Sequence, residues 1–336
     1  MTIPIAISAF FKIKTSCLIS LFDTSKILLD FFNAALNLIK GTVAPKFLSV
    51  KEVFTSLWNE IEVGAGLSIF LNNELVVDLW GGHTDRNRTI EWQQDTLVNT
   101  YSISKGIVSL AIACLVDEKV IDYQNPVSDY WPQFGAERKS RITVAQALSH
   151  QAGVYTFYPS IKSKDLYDWL KITLNIASQR PSWEPATAFG YHSITWGFIA
   201  GEIIRQVTGE SVGHYIRRRI TEPLSSDFYI GLTATEQGRC AEIIGPNHAR
   251  SLLEEKKVKP DKILPKNDPI LAPYRIVSSP EWRSAQIPAS NGHGSSLGIA
   301  KCYQAAISHK IFPKILYNKH CTKKLTDKLT FALANP

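Results

Sequence analysis

The stretch Ser102-Ile-Ser-Lys-Gly-Ile-Val-Ser-Leu-Ala-Ile-Ala-Cys-Leu-Val116 decides how the rest of the chain is read. Ile103, Ile107, Val108, Leu110, Ile112 and Leu115 leave it almost no polar face, so it is expected to be a helix at the centre of a fold. Its first four residues are the chain's only Ser-x-x-Lys, and a polar loop through Arg88 to Gln94 precedes them. Residues three apart share a helix face, so the Lys105 amine can reach the Ser102 hydroxyl. A helix start also offers unpaired N–H groups and positive dipole to developing negative charge. Burial among apolar neighbours would lower the lysine's pKa and turn it into a proton acceptor. The plainer alternative is a serine N-cap followed by a surface lysine.

Upstream, Gly64–Leu71 and Leu75–Trp80 around Asn72-Asn73-Glu74 read as a hairpin closed by Gly81-Gly82. Downstream the signals are helical. Thr143-Val-Ala-Gln146 is a capping box opening a short helix that Gly153 ends. Thr195 to Thr208 is amphipathic and stops at Gly209, Val212 to Ile220 runs into Pro223, and Leu297 to Ile307 is a further helix. Residues 232–291 give no periodic signal. The expected class is α+β: an antiparallel sheet flanked by helices, plus a mostly helical part over roughly residues 120–290. Two strands do not make a stable sheet, so the irregular region hides strands or the sheet is incomplete.

The chain has 336 residues, of which 45% are hydrophobic and 20% charged, with a net charge of +7. That is globular composition, which excludes wholesale disorder and fibrous classes. Much of the positive excess sits from Lys301 onward, where seven lysines face one aspartate. The run Asn318-Lys-His-Cys-Thr-Lys-Lys reads as solvated surface, and no nucleic-acid partner is expected. Five widely spaced cysteines without a Cys-x-x-Cys support neither a disulfide framework nor a zinc site. Cys114 reads as a buried small hydrophobe. No nucleotide-binding or zinc-protease motif occurs, and His150, closing a short helix, reads as a backbone partner. No metal or cofactor is expected, and the simplest compartment is the cytoplasm.

At the N-terminus, Lys12, Lys14, Asp23, Lys26 and Asp30 interrupt any spanning apolar segment, and secretory-signal features are lacking. Asp23, Lys26, Asp30, Asn33, Asn37 and Lys40 recur every three or four residues, one polar stripe on an otherwise apolar helix. That broad apolar face would pack on the protein or a second copy, or lie on a membrane through residues 17–40. Residues 1–45 are therefore set apart as an extension ahead of a domain over 46–336.

A rival nucleophile is present in Gly294-Ser295-Ser296-Leu297-Gly298, which matches Gly-x-Ser-x-Gly. That motif needs a strand before the turn and an acid, then a histidine, after it. Here Pro288-Ala-Ser-Asn-Gly-His precedes it, and no histidine follows Asp327. Ser296 is thus expected to begin a helix.

Three motifs in order, Ser102-Ile-Ser-Lys105-Gly106, Leu148-Ser-His-Gln-Ala-Gly153 and Gly190-Tyr-His-Ser-Ile-Thr-Trp196, resemble the β-lactamase-related serine hydrolases. That family includes class C β-lactamases, D-alanyl-D-alanine carboxypeptidases and carboxylesterases; the resemblance runs from about Phe47 to Ser308 and is nearest the esterase branch. It implies a β-lactamase/transpeptidase-like fold. It implies Ser102 as acylated nucleophile, Lys105 as its activator and Tyr191 as proton shuttle, acting on a small ester or amide without a cofactor. Tyr155, Tyr158, Trp183 and His192 are candidate substrate contacts, and core packing is the alternative for the aromatics. Two departures stand out. Tyr191-His192-Ser193 replaces the Tyr-x-Asn of many relatives, and no Lys/His-Thr-Gly segment follows Tyr191, where the family continues into strands beyond this chain's end at Pro336. An incomplete sheet and impaired catalysis are the corresponding expectations. A non-catalytic binding or scaffold protein is the competing class.

Overall fold

The computed structural model describes residues 39–56, 62–244 and 274–308. The hairpin forms as its sequence requires: β2 (Gly64–Leu71) and β3 (Glu74–Gly82) pair antiparallel about Asn72 and Asn73, whose φ angles of 50° and 70° suit a tight hairpin turn. A third strand, β1 (Ile39–Val43), pairs with the far edge of β3, giving the order β1-β3-β2. Val77 and Leu79 of β3 are fully buried and pack with Ile39 and with Phe54 of α1 (Leu48–Ser56) in a small apolar cluster.

β1 corrects the reading of the N-terminus. Lys40, the last member of the expected helical polar stripe, lies on a strand opposite Trp80, with its amine 2.7 Å from the Glu91 carboxylate. The rest of that stripe and of residues 17–40 lies outside the described residues. The compact unit that holds the described residues begins at Ile39. No helix among the described residues is long and apolar enough to cross a membrane.

The larger core forms around two helices. α2 (Ser104–Asp117) buries Ile107, Val108, Ala111, Ile112, Cys114 and Leu115. α5 (Thr195–Thr208) has every residue from Thr195 to Ile204 buried and ends at Gly209, whose left-handed φ of 72° stops the helix. Three shorter helices complete this layer: α3 (Val144–Leu148), α4 (Trp169–Ser178) and α6 (Val212–Ile216). Thr143 and Gln146 form the capping box at the start of α3. One contiguous apolar cluster joins α2 to residues throughout 121–306, so the central helix and the helical part share a core. α7 (Ser296–Ile307) follows an N-cap at Ser295, and Ser296 is its first residue, as its motif's failed context predicts. The Ser68 hydroxyl of β2 donates to Ser296 Oγ at 3.0 Å.

Among the described residues, no strand falls inside the irregular stretch 232–291; three further short strands lie before and after it. β4 (Val98–Asn99), β5 (Phe228–Ile230) and β6 (Gly292–Gly294) form a second antiparallel sheet in the order β4-β6-β5, with Asn99, His293 and Tyr229 side by side. Each is two or three residues long, too short for alternation to show.

Candidate active site

β4 leads directly into the candidate nucleophile. Thr100 donates to Gly292 O from its backbone N–H at 2.8 Å and from its hydroxyl at 2.9 Å. Gly292 N–H in turn donates to Ser104 Oγ at 2.9 Å, so β6 clamps both sides of the turn that holds Ser102. Tyr101 sits in the left-handed region at φ 46°, an uncommon conformation for a large side chain that the clamp sustains. Ser102 projects outward and is exposed.

Ser102 is not in the α-helix expected from its sequence. It occupies a 3₁₀ turn (Tyr101–Ile103), and α2 begins at Ser104. The contact with Lys105 survives because a 3₁₀ turn brings residues three apart directly over one another. Lys105 Nζ lies 3.1 Å from Ser102 Oγ, 2.8 Å from Ser193 O and 3.0 Å from Ala289 O. Its side chain is buried, with the residue 8% exposed, and burial pushes its pKa down from 10.5 to about 7. A neutral amine fits these partners: its two protons go to the two carbonyls, and its lone pair faces the serine hydroxyl.

Tyr191 completes the cluster from the far side of the sequence. Its hydroxyl donates to Ser102 Oγ at 2.9 Å, and Lys105 Nζ lies 5.0 Å from its ring centroid. His150 holds this tyrosine in place. The His150 ring is 4.9 Å from that of Tyr191, and its Nδ1 accepts the backbone N–H of His192 at 3.0 Å. Burial, then the nearby His192 and Lys105, push the His150 pKa down to about 3. The backbone-partner reading of His150 fits this geometry. Its position against Tyr191 was not legible in the sequence.

The four candidate substrate contacts separate. Tyr155 and Trp183 stack at 5.3 Å, and the Trp183 edge meets His192 at 6.1 Å. Gly190 leaves room for that indole: a Cβ there would lie 2.4 Å from Trp183 Cη2. Tyr158 is outside the stack and 75% exposed. His192, the fourth candidate, is buried. It is 0% exposed, accepts the Val154 N–H at Nε2 and pairs Nδ1 with Gly190 O at 2.6 Å, which leaves neither nitrogen for a ligand. Ser296 takes no part in the cluster. No group of three His, Cys, Asp or Glu side chains among the described residues could hold a metal ion.

The arrangement is an exposed hydroxyl between a buried amine of lowered pKa and a phenol. The family model described as Beta-lactamase matches residues 51–309. The chain belongs to the beta-lactamase family. Within that family, it resembles a solved family VIII carboxylesterase, with 40% identity, a TM-score of 0.71, and coverage of 80% of this chain and 71% of that one. EstA of Arthrobacter nitroguajacolicus Rue61a is 29% identical, with a TM-score of 0.66 over 79% of this chain and 69% of that structure. The esterase/beta-lactamase LipL of Mycobacterium tuberculosis is 33% identical over 61% of this chain and 48% of its own length. The chain thus spans about half the length of the curated relatives it matches. The beta-lactamase family's fold, helices with small antiparallel sheets, is the α+β architecture seen here.

Proposed function

We propose that this chain is a serine hydrolase that cleaves carboxylic esters through an acyl-enzyme on Ser102. The observation that carries the proposal is the placement of Ser102 Oγ 3.1 Å from Lys105 Nζ and 2.9 Å from the Tyr191 hydroxyl. As Oγ attacks the ester carbonyl, its proton passes to the neutral Lys105 amine and a tetrahedral oxyanion forms. The Ser102 backbone N–H, at the start of the 3₁₀ turn, is the protein's donor to that oxyanion. Collapse breaks the bond to the leaving oxygen, which takes the Tyr191 proton and departs as an alcohol. The Lys105 ammonium restores the tyrosine's proton. Water then attacks the acyl-enzyme by the same route in reverse, releasing the acid and restoring the serine.

Esters come before amides because the similar proteins include a family VIII carboxylesterase and an esterase/beta-lactamase, alongside teichoic acid D-alanine hydrolases. β-Lactams are the second substrate class to assay. Tyr155 and Trp183 are the proposed wall of the acyl site. The test is a fluorophosphonate probe with intact-mass detection. A single adduct that disappears in Ser102→Ala, together with loss of p-nitrophenyl acetate turnover, supports the hydrolase. A folded protein that never labels points instead to a binding or scaffold protein that keeps the family's groove.

A further inference from the structure

Beyond the Trp183 wall lies a surface pocket of about 300 Å³ lined by Arg138, Arg180, Pro181, Ser182, Trp183, Glu184 and Pro185. Its two guanidiniums are notable because the other arginines are mostly committed. Arg86, Arg205, Arg217, Arg218, Arg219 and Arg239 each pair with a carboxylate, whereas among the described residues neither Arg138 nor Arg180 has such a partner. Glu184, in the same pocket, forms no ion pair with either among the described residues.

The pocket is held in shape from beneath. Lys139 is fully buried and its ammonium donates to Ala136 O at 2.8 Å, Ala177 O at 3.0 Å and Gln179 O at 2.5 Å. One side chain therefore ties the turn carrying Arg138 to the segment that ends at Arg180. Glu137 and Arg138 are both left-handed, at φ 53° and 67°, a costly backbone for two consecutive side chains that the Lys139 anchor sustains. On the other side, Ser182 N–H donates to Gly153 O at 2.8 Å. The Trp183 indole N–H has no acceptor among the described residues. A chain of contacts leads from the pocket toward the candidate nucleophile: Trp183 lies against Gly190, and the adjoining Tyr191 reaches Ser102.

We infer that the Arg138–Arg180 pocket binds the carboxylate or phosphate group of an anionic ester and anchors that substrate for cleavage at Ser102. Planar guanidiniums suit such oxyanions through paired N–H donors. The anchoring half of the inference rests on the hydrolase proposed above, while the binding half does not.

The full chain is titrated by calorimetry with glutarate and, separately, with inorganic phosphate. Wild type is expected to bind one or both, about tenfold more tightly than Arg138→Gln/Arg180→Gln, and binding should weaken at high salt because the pair is exposed. Heat with only one anion identifies the group as carboxylate or phosphate. Glu184→Gln should tighten binding by removing the opposing charge. No heat with either anion up to about 20 mM, or equal binding by the double variant, overturns the inference. In kinetics, the double variant should raise KM about tenfold for p-nitrophenyl glutarate and leave its methyl-capped analogue unchanged. Equal changes for both esters overturn the anchoring role. Arginine-dependent anion binding in a protein that fluorophosphonate never labels would sink the hydrolase and keep the pocket; labelling without anion binding would do the reverse.

Discussion

The amine of Lys105 supplies a sharp test, because its protonation should set the pH dependence of the reaction. Only the neutral form can accept the Ser102 proton, and burial places its pKa at about 7 in place of the ordinary 10.5. For the free enzyme, kcat/KM should follow the neutral fraction. That fraction is about one half at pH 7, about a tenth at pH 6 and about a hundredth at pH 5. Between pH 7 and pH 9 the rate should therefore only double, whereas a lysine of ordinary pKa would make it rise about a hundredfold. The assay is initial-rate hydrolysis of p-nitrophenyl acetate from pH 5 to 9, corrected for spontaneous hydrolysis. Lys105→Arg is the companion variant: a guanidinium does not deprotonate, so it should be slower by about 10²–10⁴ at every pH. A flat profile, a hundredfold rise above neutrality, or a fully active Lys105→Arg would refute the assignment of Lys105 as base.

Tyr191→Phe keeps the ring against His150 but removes the hydroxyl, so kcat should fall by about 10²–10⁴ with an unchanged melting transition. In Gly190→Ala the new methyl would have to displace the Trp183 ring, costing about 1–3 kcal/mol in a urea melt and lowering kcat/KM as Tyr191 shifts. Lys139→Met removes the side-chain donor from Ala177 O and Gln179 O, while Ala136 O keeps the residue-139 backbone N–H, and it should cost about 2–4 kcal/mol by chemical denaturation. Burial pushes the Lys139 pKa down to about 8, so the unfolded chain binds more protons between pH 8 and 10.5. Its contribution to stability should therefore rise with pH across that window, and an otherwise matched Lys139→Met series should lose that slope.

Long elements were readable because their patterns repeat. The hairpin at Gly64–Gly82 and the helix at Thr195–Thr208 carry enough side chains to show a period, and Gly209 and the Thr143 capping box mark ends by local chemistry. Strands β4, β5 and β6 carry too few residues for any period. β1 departs from the helical expectation because polar residues spaced like a helix run up to Lys40, while the open edge of β3, a tertiary partner, makes that residue extended. The site divides the same way. Ser102 and Lys105 are visible as a local spacing, and Tyr191 came through family resemblance. The carbonyls of Ser193 and Ala289 are backbone atoms that every residue possesses, so no sequence pattern marks them. His192, a candidate substrate contact next to Tyr191, faces inward against Val154.

The two carbonyls that hold Lys105 come from positions 88 and 184 residues further along the chain. Until residue 289 has been synthesised and has docked, the amine lacks its enclosure, keeps its proton at neutral pH and leaves the serine an unremarkable alcohol. A chain still emerging from the ribosome, or one that has come apart, would carry the same side chains in a chemically quiet state. Reactivity at Ser102 would then serve as a built-in gauge of native assembly, reporting the closure of residues 193 and 289 onto Lys105.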